Sequence, residues 1–408
     1  MNDLPEFPRL RAGLAAAADA ADQRFVYLFD QLRLGGRPVR LSRQEFGWAR
    51  LFNGERSLRD IQTEATLLSG GLLVALQEIK ELVARLDVSF FLDSPRLQEY
   101  LVGPDREPAC IGCYPPEPEL MRRQLRKLFT APGGPGMPGS PGCRIASEGR
   151  LRAALSPHVD YTRGGITYGW GFHELIERSD AELFIVIGTS HYSAHRFTIT
   201  RKNFKSPLGA VPTDQAFIDK LVVHYGDGLF DDPLAHLPEH SIELEVVLLQ
   251  FLYEGKRPFR IVPIVVGPFN DCVEGKTDPT AQADIRRMIA TLRKAEEETT
   301  ASVCYIISGD LAHLGPKFGD ADPVGEPLLE RSQKRDEALL ERAAAADATG
   351  YFQLVAEEGD SRRICGLPPT FTVLEAAQPR RGRLLHHSRY VHPQGFESVS
   401  FASMAFDA

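Results

Sequence analysis

Short apolar runs alternate with longer amphipathic runs from residue 151 to residue 408. Five apolar runs are rich in β-branched residues and too short for helices: RAALS, ELFIVIGTS, FRIVPIVVG, SVCYIISGD and ESVSFASMAF. Segments between them, such as HSIELEVVLLQFLYEG and TAQADIRRMIATLRKAEEE, are helical in pattern. Apolar strands with intervening helices predict an α/β fold over residues 151–408, with a largely parallel central sheet flanked by helices.

The pattern before residue 98 predicts a small helical domain. Ser42 with Glu45, and Ser57 with Asp60, have capping-box spacing before helical runs, and a third helical run follows two glycines. The run VSFFLDS predicts a strand or wing. We therefore assign residues 1–98 to an N-terminal unit that resembles a winged-helix module, in particular the PqqD-like peptide-recognition domains.

Residues 99–150 connect the two patterns. The stretch CYPPEPELMRRQLRKLF predicts a helix after structure-breaking prolines. It is followed by TAPGGPGMPGSPGCR, whose glycines and prolines predict an exposed loop.

Composition excludes several classes of partner. The net charge of -8 argues against nucleic acid, because nucleic-acid affinity depends mainly on clustered Lys and Arg. No apolar stretch is long enough to span a bilayer, and the N-terminus lacks a signal pattern, so we expect a cytoplasmic protein without membrane contact. Six cysteines in 408 residues do not form a disulfide scaffold, and we expect them to be reduced. The spacing of Cys110 and Cys113 is interpreted as coincidence.

Three of the predicted strands end in chemically capable side chains. His158 follows the first strand, His191 follows the second, and Asp310 and His313 follow the fourth. Ligands gather at the carboxyl ends of the strands in open α/β sheets, so these side chains are expected to meet there. A single histidine is more often a packing residue, but the repetition at corresponding positions favours a functional site.

Further candidates lie close to these strand ends. Glu239 and His240 open a helix whose N-terminus suits an anionic ligand or keeps a histidine neutral. Tyr161, Tyr192 and Asp160 follow tip histidines and are candidate substrate-binding residues. Two histidines and a carboxylate suit a mononuclear iron site or an open zinc site. The same groups can serve as general acid and base without a metal.

Six motifs in this order resemble the Memo family, including the bacterial proteins labelled AmmeMemoRadiSam system protein B: SPHVDYTRGG, VIGTSHY, EHSIELEVVLLQFL, IVPIVVG, IISGDLAHLG and ICGLPPTFTVL. The resemblance covers about residues 106–408. It implies a fold similar to that of the class III extradiol dioxygenases, which are LigB-like, with a pocket at the strand ends. On the family pattern His158 and His191 match metal ligands, and His240 matches a further pocket histidine.

One position departs from the family pattern. Animal Memo proteins have a cysteine in the motif that reads SGDLAHLG here, where this chain has Ala312. We therefore expect Asp310, His313, Glu239, His240 or water to complete the shell of any metal.

These expectations lead to three alternative functions. The first is a non-haem metal-dependent redox or oxygenase-like enzyme using Fe(II) or Cu, with His158 and His191 as ligands and His240, Asp310, His313 and Glu239 as catalytic groups. The second is a protein that binds a peptide or small ligand without turnover. The third is a metal-assisted hydrolase. The resemblance also implies partners, namely AMMECR-type and radical SAM proteins of the same system, and a peptide or protein substrate.

Overall fold

The computed structural model of the protein describes residues 4–30, 32, 34, 38–110 and 112–408. The chain forms two compact units, Met1–Pro104 and Asp105–Ala408. Residues 105–150, which we assigned mainly to a separate connecting segment, are grouped with the larger unit.

The described residues of the smaller unit form one antiparallel sheet and four helices. Its strands, in the order β1-β2-β3, are β1 (Leu14–Ala18), β2 (Phe25–Asp30) and β3 (Val39–Ser42). Its helices are α1 (Arg43–Ala49), α2 (Leu58–Leu68), α3 (Leu76–Val88) and α4 (Pro95–Val102).

Both predicted capping boxes begin helices in this unit. The Ser42 and Ser57 hydroxyls accept hydrogen bonds from the backbone of Glu45 and Asp60, whose carboxylates accept from the serine backbone in return. The strand predicted in VSFFLDS is wrong, because α3 continues through Val88 and only Leu92 forms an isolated bridge.

The larger unit is built on a central sheet with helices between its strands. Its strands are β4 (Asp105–Arg106), β5 (Leu151–Ser156), β6 (Leu183–Thr189), β7 (Phe197–Ile199), β8 (Asn203–Ser206), β9 (Gly209–Val211), β10 (Arg260–Val266), β11 (Val303–Ser308), β12 (His313–Leu314), β13 (Arg381–Val391) and β14 (Ser398–Asp407).

Eleven α-helices of this unit lie in the part of the chain that the structure describes. They are α5 (Pro118–Thr130), α6 (Ile145–Glu148), α7 (Tyr161–Gly164), α8 (Ile166–Glu177), α9 (Gln215–Tyr225), α10 (Ser241–Tyr253), α11 (Asn270–Gly275), α12 (Ala283–Glu297), α13 (Glu326–Ala344), α14 (Ala348–Glu357) and α15 (Leu367–Ala377).

The central sheet is mixed, with a parallel core. Its order is β12-β14-β5-β11-β6-β10-β7, and β13 pairs with β14. Strands β5, β11, β6 and β10 run parallel to one another, whereas β7, β12, β13 and β14 pair antiparallel. The α/β architecture is as predicted, but the expectation of a largely parallel sheet holds only for the four central strands. The strand predicted in ESVSFASMAF exists as β14 and runs in the opposite direction.

Alternate residues of the central strands enter two hydrophobic cores. Leu183, Ile185 and Ile187 of β6 pack with α12, α13, α14 and α15, while Phe184 and Val186 pack with α5, α8 and α10. This period of two places helices against both faces of the sheet. Polar groups can therefore collect where the strands end.

A buried ion pair attaches the segment before α5 to the start of α10. Arg106 donates to the Glu243 carboxylate at 2.6 Å and to the backbone oxygens of His236 and Glu239. Glu243 also accepts from the backbone of Cys110, which forms a disulfide with Cys113. Our expectation that these cysteines are reduced and unrelated was therefore wrong for this structure.

No helix in the described ranges of the chain is both long and apolar enough to cross a membrane.

Candidate metal centre

Three adjacent parallel strands end at the same level of the sheet. Ser308 of β11 pairs with Ser156 of β5 on one side and with Gly188 of β6 on the other. His158 and Asp310 each lie two residues beyond the last residue of their strand, and His191 lies two residues beyond the end of β6. The register of the strands thus brings together side chains that are far apart in the sequence.

The imidazoles of His158, His191 and His240 form one cluster. Ring centroids are 5.1 Å apart for His158 and His191, 5.5 Å for His158 and His240, and 4.9 Å for His191 and His240. One ligand atom from each ring lies within 4.8 Å of the other two. Three nitrogens that bind one ion at about 2.1 Å lie about 3.5 Å from one another, so the rings need to move closer together to share an ion.

A second group shares His158 with Asp310 and Cys365, and its ligand atoms also lie within 4.8 Å of one another. The Cys365 sulfur is 3.3 Å from His158 Nε2, and the Asp310 carboxylate is 3.6 Å from the same nitrogen. Cys365 was not among the residues that we expected to complete the shell of a metal. Ala312 is buried beside β14, where its backbone pairs with Ser400, and the thiol comes from the loop before α15.

Glu239 lies behind two of the imidazoles. Its carboxylate accepts from His191 Nδ1 at 2.9 Å and from the backbone N–H groups of His191 and Ser241, and it lies 3.4 Å from His240 Nδ1. Only 1% of Glu239 is exposed, and it does not line the cleft. We predicted Glu239 as a catalytic group, but this position suits the orientation of a ligand histidine instead.

Burial and charge shift the pKa values of these groups in different directions. Burial, reinforced by the two neighbouring histidines, holds the pKa of His158 well below its ordinary value. Burial opposes protonation of His191 too, but the Glu239 carboxylate outweighs it and raises the pKa of His191. Burial raises the pKa of the Cys365 thiol, so a metal that binds this sulfur must displace its proton.

His313 faces the same cleft from β12. Its Nδ1 lies 3.1 Å from the Leu311 carbonyl and 3.0 Å from the Arg363 carbonyl, so Nδ1 carries the proton and donates. This arrangement leaves Nε2 as the nitrogen available for proton transfer. His313 belongs to neither ligand group.

The three residues predicted to bind substrate do not line the cleft. Tyr161 is buried in the core, where its hydroxyl donates to the Leu244 carbonyl, so its position does not support the predicted role in substrate binding. Asp160 caps α7 and forms an ion pair with Arg163, which lines the cleft, and the role of Asp160 in substrate binding stays a prediction. The Tyr192 ring packs beside His191, with ring centroids 6.3 Å apart, and its role stays a prediction.

The cleft has a volume of about 410 Å³ and a mixed lining. The lining comprises His158, Val159, Arg163, His191, His240, Asp310, His313, Lys317, Phe318, Arg363, Cys365 and Val399. Imidazole, carboxylate and thiol groups together fit a transition-metal ion, whereas Mg²⁺ and Ca²⁺ prefer oxygen ligands.

Sequence reasoning missed Cys365 and the three cationic side chains of the lining. The motif ICGLPPTFTVL pointed to the region of Cys365, since a cysteine immediately before a Gly-Leu-Pro-Pro helix start lies at an element boundary. No pattern in the sequence identified Arg163, Lys317 or Arg363, because they lie in three separate segments of the chain.

The part of the chain that matches a known protein family has nearly the same bounds as the larger unit. The model of a protein family described as "Memo-like protein" matches residues 106–405. This range includes every residue of the two ligand groups and of the cleft lining.

Individual relatives extend the similarity further. A MEMO1 family protein of Aquifex aeolicus is 24% identical over 369 residues, covering 87% of this chain and 89% of the relative. A MEMO1 family protein of Methanopyrus kandleri is 27% identical and covers 74% of this chain and 99% of the relative. A MEMO1 family protein of Thermus thermophilus is 24% identical and covers 81% of this chain and 93% of the relative. The Aquifex alignment is longer than residues 105–408 alone, so part of the N-terminal unit is shared and is not peculiar to this chain.

Proposed function

Because the chain belongs to the Memo-like protein family, we propose that it is a metal-dependent redox or oxygenase-like enzyme with its ion held by His158, His191 and His240. The observation that carries this proposal is the convergence of the three imidazoles, with ligand atoms within 4.8 Å of one another at the ends of the parallel strands. Asp310 and Cys365 are neighbouring donors that would complete the coordination of a bound ion.

The donor set favours iron(II) or copper. Imidazole ligates both metals, a carboxylate is typical of non-haem iron sites, and a thiolate is a soft ligand suited to copper. A bound ion of either kind supplies open coordination positions and a one-electron couple.

The chain's own residues have separate tasks in this proposal. Glu239 fixes the ring of His191 through Nδ1 and so directs the other ring nitrogen toward the cleft. His313 accepts or delivers a proton at Nε2, since the carbonyls of Leu311 and Arg363 hold its Nδ1 proton. Val159, Phe318 and Val399 exclude water from part of the cleft and offer an apolar surface to a substrate.

We also propose that the protein works beside AMMECR-type and radical SAM proteins. The family resemblance supports this, and the sequence lacks the CxxxCxxC pattern of a radical SAM enzyme, so radical chemistry would belong to a partner. Co-expression with one candidate of each type and affinity purification through the present chain tests it. Specific co-purification supports the partnership, and recovery no better than with an unrelated tagged protein contradicts it.

The metal proposal is tested by loading the full chain anaerobically with iron(II) or copper(I), followed by desalting and elemental analysis. We expect one ion per chain for the wild type and loss of most of it in His158→Ala and His191→Ala. His224→Ala is the matched control, because His224 pairs with Glu298 outside the cleft. Equal and negligible metal in all four proteins would remove the basis of the proposal.

Redox activity needs a separate measurement. Metal-loaded protein is treated with dithionite and then with air while electron paramagnetic resonance spectra are recorded. Reversible change of the metal signal supports a redox role, whereas an ion that stays in one oxidation state argues against it.

A further inference from the structure

Three cationic side chains line the metal cleft. Arg163 belongs to α7, Lys317 follows β12 in the 3-10 turn Pro316–Phe318, and Arg363 precedes Cys365 by two residues. They come from three separate segments of the chain. The segments of Arg163 and Arg363 adjoin the candidate ligands His158 and Cys365, and the segment of Lys317 adjoins His313.

Each cation is held by a carboxylate that does not line the cleft. Glu397 pairs with Lys317 and, at 3.3 Å, with Arg163, which also pairs with Asp160. Asp320 pairs with Arg363 at 2.7 Å. A guanidinium has five N–H donors and an ammonium has three, so each cation retains donors beyond these ion pairs.

The side chains that line the cleft carry more positive than negative charge, although each cation also has a carboxylate partner outside the lining. Among the described residues, Asp310 is the only carboxylate of the lining, against three cations, while the chain as a whole has a net charge of -8. The N–H donors that these ion pairs leave free can still bind an anion, and low-dielectric walls strengthen the attraction. Any divalent ion bound to the imidazoles would add to the positive field.

The remaining lining residues are apolar. The Phe318 ring lies edge-on to His313, with centroids 5.0 Å apart, and Val159 and Val399 line the same cavity. A volume of about 410 Å³ is in the range of small-molecule sites. The cleft thus combines anion donors with an apolar surface in a space too small for a folded partner.

We propose that the cleft selects small molecules with a carboxylate or phosphate group on an apolar body, and that Arg163, Lys317 and Arg363 bind the anionic group. Arginine and lysine donors bind both of these groups, so the cleft suits either one. This inference deepens the proposed function and rests on it for the role of the bound molecule as a substrate. Anion binding itself is measurable without a metal.

The test uses the full chain freed of metal and titrated by calorimetry with benzoate, phenyl phosphate and benzyl alcohol. We expect both anions to bind and the neutral alcohol to bind at least about tenfold more weakly, because only the anions pair with the cations. Comparison of benzoate with phenyl phosphate tells which anionic group is preferred. Added salt should weaken the binding of both anions and leave the affinity for the alcohol unchanged.

Variants locate the binding. Arg363→Gln and Lys317→Gln should each weaken the preferred anion by about fivefold to tenfold, since these side chains are partly exposed. Arg381→Gln is the control, because Arg381 pairs with Asp407 on the exposed end of β13. Thermal unfolding of each variant checks the fold.

The proposal is overturned if neither anion binds, if benzyl alcohol binds as tightly as benzoate, or if both cleft variants keep wild-type affinity for the anion. If the variants fail to fold, two measurements on the wild type still test the proposal. These are the salt dependence of anion binding and the comparison of the anions with benzyl alcohol. Metal content is measured on the same samples. Anion binding without metal uptake would refute the metal function alone, and metal uptake without anion binding would refute this inference alone.

Discussion

Cys365 adds a thiol to a cluster otherwise made of imidazoles and one carboxylate. Its sulfur lies 3.3 Å from His158 Nε2 and 3.7 Å from the Asp310 carbonyl oxygen. Thiolates are soft ligands that favour copper(I) over hard ions. The identity of this one residue therefore bears directly on which metal the site prefers.

Cys365→Ser should weaken copper(I) binding by at least about tenfold, because the hydroxyl is a much poorer ligand for a soft ion. The affinity is measured by competition with a chromophoric copper(I) chelator. Cys143→Ser, at an exposed position, is the matched control and should bind copper(I) as the wild type does. An unchanged affinity in Cys365→Ser would show that the sulfur is not a ligand.

His236 is a buried histidine next to the site that stays neutral in the folded protein. Its Nε2 donates to the Thr198 carbonyl at 3.0 Å, and among the described residues its Nδ1 has no partner. Burial lowers the pKa of His236 from 6.5 to about 4. Between these values the unfolded chain binds a proton that the folded chain does not, so stability falls as the pH falls.

His236→Gln should remove this part of the acid sensitivity, because the amide can donate to Thr198 but does not titrate. From about pH 7 to about pH 5 the wild type should lose about 2 kcal/mol more unfolding free energy than the variant. Urea unfolding at both pH values measures this difference. His195→Gln, at an exposed position, should keep the wild-type pH dependence, and the same dependence in His236→Gln would contradict the account.

The residues of the site differ in how far the sequence predicts them. His158, His191 and Asp310 follow apolar strands, and parallel strands place such residues at one edge of the sheet. Tyr161 also follows a histidine at a strand end, but the start of α7 turns the tyrosine side chain into the core. The spacing of residues in the sequence does not predict which way this side chain points. Cys365 comes from the loop before α15, outside the parallel strands, so the strand pattern does not place it.

The end of β11 and the start of α15 approach each other at two glycines. A Cβ atom on Gly309 would lie 2.5 Å from Gly366 Cα, and a Cβ atom on Gly366 would lie 2.7 Å from the Asp310 carbonyl oxygen. Neither contact is possible for a real side chain, so only glycine permits this approach. The approach keeps Cys365 next to Asp310 and His158.

Gly366→Ala should therefore separate the two elements, with a loss of about 1–3 kcal/mol in unfolding free energy and weaker metal binding. Urea unfolding and metal content of the same preparation measure the two effects. Gly47→Ala is the control, because a Cβ at Gly47 meets no atom within 4 Å. Wild-type stability and metal content in Gly366→Ala would show that the close approach is not required.

The periodicity of the sequence predicts where strands and helices form better than it predicts the direction in which each strand runs. The apolar runs of β5, β6, β10 and β11 are buried strands, as their composition indicates. The run of β14 has the same composition and pairs antiparallel, because the connection through β13 is a hairpin and not a crossover helix. The short run after α3 fails as a strand because Phe90 adopts a left-handed backbone conformation, with φ 53°.

The whole molecule contains separate hydrophobic cores in its two units. One core is formed within residues 1–104 by residues such as Leu41, Phe52 and Ile79, and the cores around the central sheet are formed within residues 105–408. Every member of both ligand groups belongs to the larger unit. The metal site is therefore expected to be independent of the smaller unit.

A chain of residues 105–408 should fold and take up one metal ion, because it contains the complete sheet, both of its cores and all candidate ligands. Circular dichroism and elemental analysis, compared with the full chain, measure this outcome. A truncated chain that folds but takes up no metal would show that the N-terminal unit contributes to the site.

The most direct test of the central claim is a crystal structure of the metal-loaded full chain, with anomalous diffraction recorded at the absorption edge of the loaded metal. We expect one strong anomalous peak among His158, His191 and His240, within bonding distance of the imidazole nitrogens that follow β5 and β6. A peak bound elsewhere on the chain, or no peak in the cleft after stoichiometric loading, would contradict it.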